Sequence, residues 1–320
     1  MRRSLTAAIA ALAAACVTTP AAAQSNRWGA DYFPNLPVVT QDGKTLKFYD
    51  DVIKGKIVII SFIYTNCPDI CPLTTARMTQ VEDMLGDHVG RDIFLISMTV
   101  DPVRDTPPQL KQFSEAFGAK APGWLFLTGR LEDIKAINAK LGDKSRSLDD
   151  HRNEIVLGND ATGEWQRNTV FGDLDRLIVD IRAMDPKWRD EVRQPKPDQA
   201  SNTGYALDVQ PGRTLFKKIC APCHTIGVGD RVGPDLRGVT ERRDHAWLAN
   251  FIMHPDKARE HRDPIAMSLV EKFPGVHMPG LGVAEMDAAD LIAYLQAETA
   301  HIKDGDTSEM PAMSEHHHHH

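Results

Sequence analysis

The sequence predicts two domains of different class, an α/β domain followed by an all-α domain. Two apolar runs of strand length, 57–63 (IVIISFI) and 93–100 (IFLISMTV), stand in the first half with a helix-spaced segment between them. The second half has no comparable run and instead shows helical spacing at both of its ends. Between them, 186–203 carries Pro186, Pro195 and Pro197 and almost no apolar periodicity, so it reads as a linker. At 320 residues the chain has room for two separate cores.

Each element follows from its pattern. Runs without polar alternation fit strands covered on both faces. Met78, Val81 and Leu85 fall on one helical face between them, which gives strand, helix, strand and hence a right-handed parallel crossover. Residues 107–118 and 131–141 read as helices, 124–127 as a short strand, and 154–157 with 164–170 as a hairpin around Asn159 to Gly163. Past the linker, Gly212, Leu215, Phe216 and Ile219 recur at i, i+3, i+4 and i+7 behind Pro211, a residue suited to a first helical position. Ala288, Leu291, Ile292 and Leu295 repeat that spacing near the end, leaving a loop-rich middle with Gly233-Pro234 and Pro274-Gly275. No internal repeat links the halves.

A formal charge of −7 gives no support to a nucleic-acid binder, which needs a basic face. The start has the form of a signal peptide over 1–23: Arg2 and Arg3, an Ala-rich apolar run too short for a membrane span, and Ala21-Ala22-Ala23 before Gln24. Export to the periplasm is therefore expected, with Cys16 removed; membrane association is expected only if Cys16 is lipidated or the signal is retained. The tail, 304–320, is polar and ends in five histidines that read equally as an affinity tag or as a metal-binding end. Met310 and Met313 read as ordinary tail residues.

The cysteines carry the chemistry. Apart from Cys16 they form two close pairs, and tight pairs more often bind metals, attach haem or do redox work than build a disulfide scaffold. Cys67 and Cys71 follow the first strand and open the first helix, where the helix dipole is expected to lower a thiol pKa. The CxxxC spacing, one residue longer than a CxxC redox pair, sets both sulfurs about one turn apart on the same side, which suits a shared metal ion. Copper accepts an added imidazole readily, and His151, before the hairpin, is a candidate. His88 reads as a surface residue.

The second pair lies in Cys220-Ala221-Pro222-Cys223-His224, a CxxCH segment: two thiols for the vinyl groups of one covalent haem c and a histidine for its iron. Met278, on a loop before the last helix, is the expected opposite axial ligand. Met267 is the main rival, His277 is another, and Met253 and Met286 read as core. His245, His254, His261 and His301 read as surface.

Residues 65–72, 100–107, 123–129 and Asp150-His151 resemble the successive motifs of the Sco/SenC family, in order over about 160 residues. The resemblance implies a thioredoxin-like fold over 24–185, one copper ion on Cys67, Cys71 and His151, and assembly of the CuA site of cytochrome c oxidase. Asp101 and Asp105 match family positions and are expected to act structurally or behind the ligands. The hairpin turn departs from the family's shorter Asp-Pro-x-Gly type and leaves the ligands untouched. Residues 204–303 resemble a class I cytochrome c through Gly212, Phe216, Gly233-Pro234-Asp235-Leu236, Met278-Pro279 and Tyr294. There the Gly-Pro carbonyl is expected to support His224.

The expected function is a periplasmic copper chaperone whose haem exchanges single electrons with the copper site, with the CuA subunit or a similar copper acceptor and a redox partner for the haem as partners. A thiol:disulfide oxidoreductase that keeps oxidase cysteines reduced, and an electron carrier with a docking domain, are the alternatives. A metallochaperone and electron-transfer protein is favoured over a turnover enzyme.

Overall fold

The computed structural model describes residues 28–67, 70–143, 145, 147, 148, 154–188 and 211–303. Strands β1 (Pro37–Thr40), β2 (Thr45–Lys47), β3 (Ile57–Ile63), β4 (Ile93–Thr99), β5 (Trp124–Thr128), β6 (Ile155–Asn159) and β7 (Glu164–Asn168) form one sheet in the order β2-β1-β5-β4-β3-β6-β7. β3 and β4 run parallel with Ile57 opposite Ile93, and β3 and β6 run antiparallel with Ile57 opposite Asn159. All seven residues of β3 are buried, as its unbroken apolar run predicts.

The period of two sorts those residues between two cores. Ile57, Ile59 and Ile63 face a cluster that also holds Cys67, Cys71, Met78, Leu95 and Phe126. Val58, Ile60 and Phe62 face the opposite cluster with Phe48, Ile96 and Ile134. Helices α1 (Ile70–Leu85), α2 (Pro107–Ala116) and α4 (Leu174–Ala183) supply the first cluster, and α3 (Leu131–Lys140) supplies the second. The run β3-α1-β4, the antiparallel β6-β7 hairpin beside β3, and the closing α4 form a thioredoxin-like core. The hairpin turn is held by Asn159, whose Oδ1 accepts from the backbone of Ala161 and Thr162, while Gly163 takes a positive φ of 74°.

Several features of this domain differ from the sequence expectation. The β1-β2 hairpin and the π-helical turn Phe48–Ile53 are short, with too few residues for a period to show. Helix α4 has a start signal in the sequence: Asp173 caps it by accepting from the Arg176 backbone, and Leu177, Ile178 and Ile181 are buried. Trp188, expected in the linker, packs edge-on against His88 with ring centroids 4.4 Å apart, so ordered packing extends past residue 185. His88, in turn, is half-buried and bonded to Asp92 at 2.9 Å rather than lying free on the surface.

The second half is helical: α5 (Pro211–Leu215) running into a π-helical turn (Phe216–Cys220), then α6 (Val239–Arg242), α7 (His245–Met253), α8 (Pro255–Glu260), α9 (Pro264–Lys272) and α10 (Glu285–Lys303). The expected loop-rich middle is therefore corrected. Asp244 and Asp263 cap α7 and α9 by accepting backbone N–H groups, and Pro255 and Pro264 begin α8 and α9. These start signals stand in the sequence, but each helix is too short for periodicity to reveal it.

The first and last helices of this domain cross at Gly212. A Cβ there would lie 2.1 Å from the Asp290 carbonyl oxygen and 3.0 Å from Tyr294 Cβ. We expect Gly212→Ala to destabilise the domain by about 1–3 kcal/mol, as overpacking does, read as a lowered thermal midpoint of the haem absorbance with the α/β domain's unfolding unchanged.

Candidate functional site

β3 delivers the chain into a turn closed by the Cys67 N–H donating to the Tyr64 carbonyl at 3.2 Å. Cys71 lies in the first turn of α1, and its N–H donates to Cys67 Sγ at 3.3 Å. The CxxxC spacing thus brings the two residues together as read. The electrostatic expectation is corrected. Both side chains are buried, Cys71 completely, and desolvation, together with contact with Cys67, pushes the Cys71 thiol far up instead of down. A helix terminus contributes roughly 0.3–1 kcal/mol, less than one pKa unit, whereas full burial moves a group by several units.

Asp105 supports this turn. It is fully buried, and its carboxylate accepts from the Thr65 N–H at 3.1 Å, from Thr65 Oγ1 at 2.6 Å, and from Thr99 Oγ1 at the end of β4. Burial pushes its pKa up, against these donors. Asp101 accepts from Arg104 at 2.7 Å and lies one loop further away. Asp105→Asn places an amide donor against donors, at about 1–3 kcal/mol. We expect a lowered thermal midpoint and about a 10-fold weaker hold on copper, the scale of an outer-shell loss, measured by competition with a Cu(I) chelator.

The third expected copper ligand, His151, lies outside the described residues. Among the described residues no third His, Cys, Asp or Glu gathers with the two thiols into a metal-binding group. The nearest described apolar residues on either side, Leu148 and Ile155, both pack on the cluster that contains Cys67 and Cys71.

In the helical domain the π-helical turn ends at Cys220, with the Ala221 N–H donating to the Phe216 carbonyl at 2.8 Å. The N–H groups of Cys223 and His224 then both reach the Cys220 carbonyl, at 3.0 and 2.9 Å. From the facing loop the Gly233 N–H donates to the Cys223 carbonyl at 2.8 Å, and His224 Nδ1 donates to the Pro234 carbonyl at 2.9 Å. A carbonyl only accepts, so Nδ1 carries the proton and Nε2 keeps its lone pair. Burial lowers the His224 pKa and favours the neutral ring, while it pushes the Cys220 and Cys223 thiols up to about 12.

These residues open on a cavity of about 1570 Å³, mouth included, with walls that include Phe216, Leu248, Leu291 and Leu295. Two thiols, a neutral imidazole with a bound Nδ1 and an apolar slot fit a haem. Met278 and His277 line the slot, whereas Met267 and Met253 do not. Met278 is half-buried and His277 exposed. Two assignments change. Met286, expected in the core, is 81% exposed in the first turn of α10, because the apolar stripe of that helix runs through Ala288, Leu291 and Leu295 instead. His254, expected at the surface, is half-buried at the α7–α8 junction.

Comparison with known proteins agrees with both halves. The SCO1/SenC family description matches residues 29–160, and the cytochrome c description matches 209–298. An SCO2-like protein of Rickettsia felis is 38% identical over 157 residues, covering 46% of this chain and 73% of that protein. The chain belongs to the SCO1/SenC family. Protein sco1 of Schizosaccharomyces pombe is 40% identical over 143 residues, 40% of this chain and 53% of that one. The Sco-type structure of Arabidopsis thaliana ScoI with copper bound aligns at 25% identity with a TM-score of 0.40, covering 47% of this chain and 95% of that chain. This SCO1/SenC chain thus carries a second, cytochrome c domain, and the two together support a copper-handling and redox role.

Asp235 is the residue to which the sequence reading gave no role. Its carboxylate accepts from the N–H groups of Gly227, Gly229 and Arg237 and from Thr225 Oγ1, gathering the loop after His224. Partial burial opposes its charge, but these donors outweigh it and hold its pKa below the usual carboxylate range. The stabilisation is therefore fully present above about pH 4, the unfolded value, and is lost as the pH falls through the depressed folded value. An acid titration of the haem absorbance should show loop loss below pH 4 in the parent, and Asp235→Asn should remove that step.

Proposed function

We propose that the chain is a periplasmic copper chaperone for the CuA site of cytochrome c oxidase, or a similar copper acceptor, whose cytochrome domain exchanges single electrons with copper held by Cys67, Cys71 and His151. Family membership and the adjacent buried thiols support copper as the cargo, since soft thiolates select Cu(I). Cys220 and Cys223 would hold haem c, His224 and Met278 would ligate its iron, and the group would supply a reversible one-electron couple there. Pro234 orients His224 through Nδ1, and Arg259 ties the Met278 loop to α8 by donating to the Met278 carbonyl at 2.9 Å. Reducing Cu(II) to Cu(I) consumes one electron and breaks no bond, whereas a dithiol would deliver two on becoming a disulfide. An external redox partner returns the electron.

The observation that carries this reading is adjacency. Pro72 and Leu73, which directly follow Cys71, line the same cavity as Cys220, Cys223 and His224. The test mixes ferrous protein with one equivalent of Cu(II); reoxidation that persists unchanged without Cys67 and Cys71 overturns the electron exchange. A thiol:disulfide oxidoreductase would instead turn over a disulfide without copper and tolerate His151→Ala. The complete burial of Cys71 weighs against that alternative. Export belongs to the proposal and rests on the leader-like residues 1–23; a full-length cytoplasmic pool on cell fractionation would refute it.

A further inference from the structure

Helix α1 is buried on every side along its first turns: each residue from Cys71 to Thr79 is buried. A helix lying on a sheet normally buries one stripe. Cys71, Met78, Val81 and Leu85 account for that stripe, since they share one helical face and belong to the core cluster against the sheet. Leu73, only 2% exposed, belongs to neither cluster of the sheet. It lines the cavity of the helical domain, together with Pro72.

Contacts from several parts of the helical domain continue this junction. Val232, one residue before Gly233, is buried in the cluster that holds Cys67 and Cys71, and Cys223 and Val276 pack against the same cluster. Gly275 sits beside α2, where a Cβ would be 3.7 Å from the Gln112 side chain. At the far end of α1, Arg231 Nη2 meets Asp83 Oδ2 at 3.3 Å, with the two side chains 25% and 56% exposed. A partly exposed pair of this kind holds little by itself, but two like charges placed there would repel across the junction, at several times that cost.

We propose that the copper-site helix is a wall of the haem crevice: the two domains are docked, with Leu73 and Pro72 closing the crevice mouth and Arg231 with Asp83 fixing the approach. This rests on the reading that the crevice holds haem; the electron exchange draws on the same adjacency, but the docking does not require that exchange. The linker then serves as a tether between docked domains rather than as an arm that carries the haem to and from copper. Because the hydrophobic shell of a metal site controls its access to water, and through that its potential, the docked helix holds the haem potential up. Opening the junction hydrates the haem edge and favours the more highly charged ferric state.

The experiment uses the full haem-bearing chain and three variants: Leu73→Asp, Arg231→Glu, and the exchanged pair Arg231→Glu/Asp83→Arg. Haem midpoint potential and the radius of gyration from solution scattering are read for each. The expected result is a lower midpoint and a larger radius in both single variants, with both quantities returning towards the parent in the exchanged pair. Parent values in Arg231→Glu, or no recovery in the exchanged pair, overturn the docking whatever the folding of Leu73→Asp. If these shifts appear while ferrous protein leaves Cu(II) unreduced, the electron exchange fails and the docking stands. Intact Cu(II) reduction with unchanged midpoint and radius overturns the docking alone.

Discussion

Replacing Cys67 and Cys71 together by serine should remove stoichiometric copper from the purified chain and slow the Cu(II)-driven reoxidation of its haem by at least about 100-fold, the loss expected if the two sulfurs bind the metal themselves and do not merely support its ligands. The reason is local. The Cys71 N–H already rests on Cys67 Sγ at 3.3 Å, and both side chains sit in the sheet's apolar cluster with little access to water. A hydroxyl there keeps the shape but offers a hard, weakly ionising oxygen in place of a soft sulfur, so a Cu(I) ion loses two ligands at once. Copper content by metal analysis and haem reoxidation by stopped-flow absorbance read the two effects separately. Thermal unfolding should shift down modestly, since serine keeps the shape but puts hydroxyls into an apolar cluster, at about 1–3 kcal/mol where they find no partner. Copper retained at one equivalent in the double variant would place the metal elsewhere.

Gly233→Ala should cost the helical domain its low-spin haem. The added Cβ would stand 2.7 Å from His224 Cε1 and 3.0 Å from Nδ1, closer than real Cβ contacts come. The ring must rotate, and its bond to the Pro234 carbonyl is then lost. Overpacking of this kind costs about 1–3 kcal/mol, and loss of the orienting partner weakens metal ligation by about 10–100-fold. Visible spectra should show a mixed or high-spin iron while the thioether links to Cys220 and Cys223 persist, as mass spectrometry reads directly. An unchanged spectrum would mean that His224 does not approach the iron from this side. Met278→Ala compared with Met267→Ala completes the test: only the first should alter the ferric spectrum, because only Met278 lines the slot.

Much of both sites was legible in the chain itself because their spacing is local. CxxxC at the start of a helix dictates two neighbouring sulfurs, and CxxCH dictates two thiols and an imidazole on one turn, whatever surrounds them. The unbroken run of β3 and the i, i+3, i+4 spacing in α10 likewise report their elements, since a covered strand and an amphipathic helix cannot be written otherwise. The short helices α6 to α9 escaped because a stretch of four to nine residues holds too few periods, although Asp244, Asp263, Pro255 and Pro264 announce most of their starts.

By itself, then, the sequence determined the two fold classes, the two cysteine centres and the imidazole attached to one of them. The tertiary structure alone decided the quantities set by distant neighbours. The Cys71 thiol is pushed up because β3 and α1 remove it from water, a cost no spacing records. Asp235 became a loop organiser because Gly227 and Gly229 turn back to it, and Gly212 became a crossing point because α10 brings the Asp290 carbonyl and Tyr294 against it. The junction of Leu73 with the haem crevice joins residues about 150 positions apart in sequence. Such a contact depends on both domains being folded, so neither domain's pattern could contain it.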